Sequence, residues 1–208
     1  MATSDDLREA SLTRPIRGNR QEKDGEMANT DLRYRRTERY LLEAFGTALN
    51  ERPLDKITVT SLAAAADINK ATFYLHYRDI YDLAEAYVRH VAQARVDGME
   101  YLDEYFDDPR SFAAHLVADF EANKEEGLVF GRNGIMHSYL DAFASATHAR
   151  LSEFKPVVDD KRGSMMTTFM LTGILNLLPR YEDDSQTVAE VAGDLLTAIH
   201  EYGRSRFE

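Results

Sequence analysis

Residues 58–77, TVTSLAAAADINKATFYLHY, are the part of the sequence that indicates the fold most clearly. They predict two short helices joined by a tight turn. Thr58 is a good N-cap for the first helix, because its hydroxyl can accept a backbone N–H two or three residues later. Asp67 must turn the chain in a left-handed conformation, which Asp tolerates better than most residues. Asn69 then caps a second helix, Lys70–His76.

The two predicted helices would share a small core formed by Leu62, Ala66 and Phe73. A helical corner of this kind is common inside ordinary all-α proteins, which is one interpretation of the motif. The other is a helix presented to the major groove of DNA. The aromatic run TFYLHY favours the second interpretation, since a purely structural helix rarely carries so many tyrosines at its exposed end. Asp79 is expected to cap the next helix.

Over about Thr37–Leu83 the chain resembles the TetR family of bacterial transcriptional regulators. The resemblance is carried by a first helix with an apolar stripe, by ITV at 57–59 and LAAAA at 62–66, by Asn69-Lys70 and by TFYLHY. The stripe consists of Leu41, Leu42, Phe45 and Leu49. Asp67 stands where the family usually has glycine. Ile80 stands where the family usually has a lysine that contacts phosphate, and Arg78 is the alternative cation.

The resemblance implies a ligand-released repressor that binds a palindromic operator as a homodimer. Short or polar side chains around the second helix would reach bases and phosphates. The residues predicted to contact DNA are Thr58, Thr60, Asn69, Lys70, Ala71, Thr72, Tyr74, His76, Tyr77 and Arg78. The alternative function is a helical protein-interaction module that has lost DNA binding.

The charge of the chain is distributed unevenly. Its formal net charge is −11 over 208 residues. Lys and Arg balance Asp and Glu within residues 28–83 (8 against 8), whereas residues 84–208 carry 12 against 22. A DNA-binding unit needs only a locally positive face. The side chains expected to supply it are Arg33, Arg35, Arg36, Arg39, Lys56, Lys70 and Arg78.

The rest of the chain predicts an all-α protein of three parts. Residues 1–28 are expected to be a mostly disordered tail, because they are polar and lack an apolar period. Residues 29–83 would form the helix-turn-helix DNA-binding domain, with its first helix at about Asp31–Glu51. Residues 84–208 would form a helical domain for effector binding and dimerisation. Its helices are expected near 79–106, 109–124, 135–154, 163–181 and 185–204, with a turn through 127–134 and a loop around Pro156.

The helix at 163–181 has hardly any polar face, so it must be covered on nearly all sides. Together with the last helix it predicts a four-helix interface between two subunits. The residues assigned to that interface are Ile174, Leu178, Val188, Val191, Leu195 and Ile199. A central helix of a monomeric bundle is the alternative.

The resemblance also implies a small-molecule pocket between helix 4 and the helices that follow. Its predicted lining is Tyr87, His90, Phe120, Met136, His137, Tyr139, Phe143, Met166, Phe169 and Met170. Core packing is the alternative for each of these residues. Methionines suit irregular ligands but also fill ordinary cores. The sequence does not indicate which small molecule would bind there as the effector.

Other classes of protein find little support in the sequence. No cysteine is present, which excludes disulfides, thiolate zinc sites and a cysteine nucleophile. No HExxH, GxSxG or P-loop motif occurs, so we expect no enzyme, no metal and no cofactor. No run of 18 apolar residues and no signal-peptide core is found, so we expect a cytoplasmic protein without a membrane partner.

Overall fold

The computed structural model describes residues 21–154 and 161–207, and the surroundings of side chains within 32–154, 161–181 and 183–201. The described residues form ten α-helices and no strand, which confirms the all-α prediction. The helices are α1 (Gln21–Glu51), α2 (Val59–Ala65), α3 (Lys70–His76), α4 (Ile80–Asp97), α5 (Glu104–Asp107), α6 (Pro109–Ala122), α7 (Lys124–Arg132), α8 (Met136–Phe154), α9 (Lys161–Leu177) and α10 (Ser185–Phe207).

The chain divides into two compact units, Met1–Tyr40 and Leu41–Glu208. The boundary expected between residues 83 and 84 falls inside the second unit. Helix α1 begins at Gln21, ten residues before the expected Asp31, so part of the predicted tail is helical. Residues 21–30 are mostly good helix formers, and no proline lies between Pro15 and Pro53 to stop the helix. The other residues of that tail, 1–20, lie outside the described part of the chain.

The second unit contains the two short helices and the acidic remainder of the chain. Leu62, Ala66 and Phe73, the residues predicted to form the core of the helical pair, are all buried. Leu41, Phe45 and Leu49 on the second half of α1 are also buried. We call residues 84–154 and 161–207 the body.

The body is built on three helix pairs. Helix α10 packs mainly against α6, α4 against α8, and α8 against α9. Helices α9 and α10 contact each other only slightly within the protomer. The centre of the body is filled by aromatic and aliphatic side chains, among them Phe112, Leu116, Phe130, Phe143 and Leu151.

Three helix boundaries differ from the prediction. The expected turn at 127–134 is mostly helix α7, and the chain turns only at Asn133–Gly134, where Gly134 has a positive φ of 71°. Helix α4 ends at Asp97 with Gly98 as its C-cap, so the helix expected over 79–106 stops at this glycine. Helix α9 ends at Leu177 because Pro179 cannot continue it. The expected loop at Pro156 lies outside the described residues.

Among the described helices, none is both long enough and apolar enough to cross a membrane.

Candidate nucleic-acid interface

Local hydrogen bonds hold α2 and α3 at their starts. The Thr58 hydroxyl accepts from Ser61 N at 3.1 Å, and the backbone N of Thr58 donates to the Ser61 hydroxyl at 3.3 Å. The two bonds together form a capping box. Asn69 Oδ1 accepts from Thr72 N at 2.8 Å. Asp67 lies between the helices with φ 53°, the left-handed conformation that the sequence predicts. These bonds determine where α3 begins and how it leaves the turn.

Helix α3 has one buried face and one exposed face. Phe73 is fully buried and Tyr77, just after the helix, is 7% exposed. On the opposite side Tyr74 is 58% exposed and Leu75 is 77% exposed. Lys70 and Ala71 are also exposed, four residues before these two and therefore on the same face. This exposed face carries a cation, a methyl, a phenol and an isobutyl group, and no carboxylate.

The ten residues predicted to contact DNA do not all reach the surface. Seven are exposed and two are half-buried. The exposed residues are Thr58, Thr60, Asn69, Lys70, Ala71, Tyr74 and Arg78, and the half-buried ones are Thr72 and His76. Tyr77 is the exception, because it lies against Phe73, with ring centroids 6.0 Å apart, and serves as core. Little of Tyr77 is therefore exposed for the predicted contact with DNA.

Two side chains on this surface were missed by the sequence analysis. Leu75 follows Ala71 by four residues, so helical spacing alone could have placed it on the exposed face. Tyr81 is exposed in the first turn of α4. Its signal was weak, since an aromatic residue near a helix start is equally typical of a core.

Arg78 is exposed but already has a partner. Its Nη2 lies 3.2 Å from Asp82 Oδ1, and its backbone N donates to Asp82 Oδ2 at 2.9 Å. The hydrogen bond from the Arg78 side chain, together with that from its backbone, lowers the pKa of the Asp82 carboxyl. Ile80, at the first position of α4, is half-buried and brings no charge. A phosphate would have to compete with Asp82 for this arginine, at the small cost typical of exposed ion pairs.

The two short helices themselves carry little positive charge. Residues 58–83 contain two cations, Lys70 and Arg78, against three carboxylates. Four arginines, at 33, 35, 36 and 39, belong to the first unit. There Arg36 Nε donates to the Tyr40 hydroxyl at 2.9 Å, and that bond lowers the pKa of Tyr40.

Helix α7 is tied to the segment that precedes α2. Asn133 Oδ1, just after α7, accepts from the backbone N of Leu54 at 2.7 Å. Arg132 Nη2 donates to the backbone O of Asn50 at 2.9 Å. Nearby, Gly46 of α1 leaves room for the ring of Tyr87 on α4. The body therefore contacts the second half of α1 and the start of the helical pair through specific side chains.

The residues predicted to line a pocket are dispersed. Tyr139, Phe143 and Met170 are buried; Tyr87, Phe120, Met136 and Met166 are half-buried; His90, His137 and Phe169 are exposed. Those last three face solvent in the protomer, so they do not line an interior pocket. These residues were assigned to the pocket because they share helical spacing with apolar residues. Such spacing does not show which side of a helix is covered by the neighbouring helices.

The body contains a partly buried polar cluster that the sequence did not predict. Arg95 of α4, whose side chain is only 11% exposed, contacts Asp119 at 3.1 Å and Glu126 at 2.6 Å. Its guanidinium also lies 5.3 Å from the Phe120 ring centre. Burial lowers the pKa of Arg95, but nearby Tyr139 and the two carboxylates outweigh that effect and raise it. The sequence did hold a signal, since Arg95 falls on the apolar stripe Val88, Ala92 and Val96.

The residues assigned to a dimer interface also separate into two groups. Ile174, Leu178 and Val188 are buried within the protomer, so they belong to its own core. Ile199 is half-buried, whereas Val191 and Leu195 are exposed. Met165 and Phe169 on α9 are exposed as well, Phe169 by 75%. Exposed apolar side chains are therefore present on both α9 and α10; Val191 and Leu195 are among the predicted interface residues, whereas Met165 and Phe169 are not.

No protein-family model matches this chain, and no curated protein is similar enough in sequence to count as a relative.

Proposed function

We propose that the protein is a DNA-binding transcriptional regulator, in which α3 enters the major groove of a palindromic operator. The observation that carries this proposal is the exposed face of Lys70, Ala71, Tyr74 and Leu75 on a short helix whose other face is buried. A helix held by caps at its start and by Phe73 beneath it can enter a groove without rearranging. The resemblance over Thr37–Leu83 supports the same function.

The proposed regulator binds as a homodimer through α9 and α10. Met165 and Phe169 on α9 and Val191 and Leu195 on α10 are exposed large apolar side chains that a partner subunit could cover. Covering such side chains stabilises an assembly by about 1.5–3 kcal/mol for each one fully buried. A two-fold pair would place two copies of α3 on successive major grooves.

The proposed repressor is released by a small molecule bound in the body. Helix α4 starts beside α3 and carries Arg95 near its far end, so a ligand beside Arg95 would act on α4 directly. Helix α7 offers a second route, because Glu126 contacts Arg95 and Asn133 contacts Leu54. The ligand must bind the released conformation more tightly, since equal affinity for both conformations shifts nothing.

Selection of bound sequences from random DNA tests the function and the half-site spacing together. The repressor proposal predicts an inverted repeat with half-sites about one helical turn apart. Recovery of no enriched sequence at low salt would refute DNA reading by this protein.

A matched pair of lysine variants then tests the role of α3 in a gel-shift assay. Lys70→Ala should weaken binding and reduce the slope of log affinity against log salt concentration by about 1. Lys161→Ala removes the same charge from an exposed lysine at the start of α9 and should leave that slope unchanged. Equal effects of the two variants would show that only overall charge matters, and would contradict the placement of α3 in the groove.

A protein-interaction module that has lost DNA binding is the second candidate function. The observation that favours it is the charge of residues 58–83, where three carboxylates oppose two cations and Arg78 is paired with Asp82. The selection experiment distinguishes the two functions, because an interaction module predicts no enriched sequence while the dimer still forms.

A further inference from the structure

Leu75 is the most exposed large apolar side chain among the described residues, with 77% of its surface open to solvent. It lies in α3, where Phe73 and Tyr77 already supply the buried side chains. A single exposed leucine needs no explanation in itself. Leu75 differs because it belongs to the face that the proposed regulator presents to DNA, and its side chain has no polar atom to donate or accept there.

The exposed face of α3 consists of two rows of side chains. Lys70 and Tyr74 are four residues apart, so they lie on one line along the helix, and each ends in a hydrogen-bonding group. Ala71 and Leu75 form the neighbouring row by the same spacing, and all four residues are exposed. This second row carries only hydrocarbon groups. The face therefore offers hydrogen bonds along one side and purely apolar contact along the other.

The chemistry of the major groove determines what an apolar row can contact. Every base pair presents hydrogen-bond donors and acceptors there, and the C5-methyl group of thymine is the apolar group among them. A leucine placed against a donor or an acceptor excludes water without replacing the lost hydrogen bond, which is costly. Against a thymine methyl, the same leucine buries apolar surface on both partners. Ala71 and Leu75 are about 6 Å apart along the helix axis, so their row is short enough to meet one or two base pairs.

We propose that Leu75 determines part of the DNA specificity by contacting the C5-methyl group of one thymine in each operator half-site. Ala71 lies one turn before Leu75, and its small side chain leaves room for the base edge to approach the helix. The exposed face of α3 contains Lys70 and no carboxylate, which suits the phosphates that flank such a base. The inference rests on the DNA binding proposed above and adds the base that one side chain recognises.

Deoxyuridine tests the contact because it differs from thymidine only by the missing methyl group. The operator is first obtained by selection from random DNA, and each thymine is then replaced by uracil in both half-sites, one position at a time. At one position the wild-type protein should bind about 15-fold more weakly in a gel-shift assay, which corresponds to about fourfold for each lost methyl contact. Full binding to every uracil operator would overturn the assignment, as would an operator whose half-sites contain no thymine.

Two leucine variants then assign the lost contact to its side chain. Leu75→Ala should bind the thymine and uracil operators within about twofold of each other, because the methyl group has lost its partner. Leu128→Ala makes the same change at an exposed leucine of α7 and should keep the full difference between the two operators. A difference that persists unchanged in Leu75→Ala would show that another side chain contacts the methyl group, and would overturn the proposal.

The same variant separates base recognition from a structural role. Because Leu75 is exposed, the melting temperature of Leu75→Ala should match that of the wild-type protein. Removal of an uncharged side chain should also leave the slope of log affinity against log salt concentration unchanged. A lower melting temperature, together with an equal loss of affinity for the thymine and uracil operators, would show that Leu75 supports the fold and would refute its contact with the base.

A second substitution covers the case in which Leu75→Ala binds too weakly to measure. Selection from random DNA is repeated with Leu75→Gln, whose amide pairs with donors and acceptors on the base edge. The preference for thymine should be lost at the uracil-sensitive position and kept elsewhere in the half-site. Recovery of the same sequence with both proteins would contradict the role of Leu75.

Failure of this inference is distinguishable from failure of the regulatory function. A selection that enriches no sequence refutes DNA reading and this proposal with it, and leaves the exposed face of α3 to the interaction module. An enriched operator whose thymines all tolerate uracil refutes only the role of Leu75.

Discussion

Gly46→Ala tests the contact through which α1 meets α4. Gly46 lies inside α1, and a Cβ placed on it would come within 2.6 Å of Tyr87 Oη, 2.9 Å of Cε2 and 3.0 Å of Cζ. The Tyr87 ring is also in edge contact with Phe45 at 5.2 Å and with Phe130 at 6.3 Å. The ring is therefore held on three sides and has little room to yield.

Two opposing effects determine the magnitude. Alanine is better than glycine inside a helix by about 1 kcal/mol. Overpacking a well-filled site costs about 1–3 kcal/mol. We therefore expect Gly46→Ala to lower the free energy of unfolding by up to about 2 kcal/mol, despite the improved helix propensity. In a Tyr87→Leu background the ring is gone, so the same substitution should raise the free energy of unfolding by about 1 kcal/mol.

Urea unfolding followed by far-ultraviolet circular dichroism measures this double-mutant cycle. All four proteins are compared at one protein concentration, because association stabilises the folded state by mass action. The change of sign between the two backgrounds is the expected result, with a coupling energy of about 1–3 kcal/mol. If Gly46→Ala had the same effect in both backgrounds, the Tyr87 ring would not occupy the space beside Gly46, and the reasoning would fail.

Four other predictions concern single positions. Asn133→Ala leaves the buried backbone N of Leu54 without its acceptor and should cost about 1–3 kcal/mol in urea unfolding. Asn69→Ala removes the N-cap of α3 and should cost about 1 kcal/mol, with a larger loss of DNA affinity in a gel-shift assay than of stability. Burial raises the pKa of Tyr139, so the folded state holds that proton more tightly. Its stabilisation is complete below pH 10 and falls by about 1.4 kcal/mol per pH unit above it, so Tyr139→Phe should make the alkaline loss of stability less steep in unfolding curves. Phe169→Glu places a charge in the proposed dimer surface and should give a helical monomer in sedimentation, whereas an unchanged mass would contradict that surface.

The local structure of the helical pair could be predicted because its determinants lie within a few residues of one another. The Thr58 cap reaches Ser61, the Asn69 cap reaches Thr72, and the left-handed residue is Asp67 itself. A capping hydroxyl and a tolerated φ do not depend on the rest of the chain. The bounds of α3 and its capping residue therefore agree with the prediction.

The candidate sites could be predicted only in part, because they depend on contacts between distant residues. Tyr74 and Tyr77 look alike in sequence, but packing against Phe73 buries the second and leaves the first exposed. Arg95 meets Glu126 from 31 positions away. Neither fact follows from helical periodicity, which identifies an apolar face but not what covers it.

By itself, the sequence determined that the protein is all-α, that a short helix begins after Asn69 and that the chain reverses at Asp67. Helical periodicity, capping residues and turn residues act over four residues or fewer, so their effects on local structure can be predicted directly from the sequence. Only the tertiary structure decided which tyrosines are exposed, which apolar residues of α9 and α10 remain uncovered, and that an arginine lies in the body with two carboxylates. Burial and electrostatic pairing depend on which helices pack together, and the chain sets that through residues as far apart as Leu54 and Asn133.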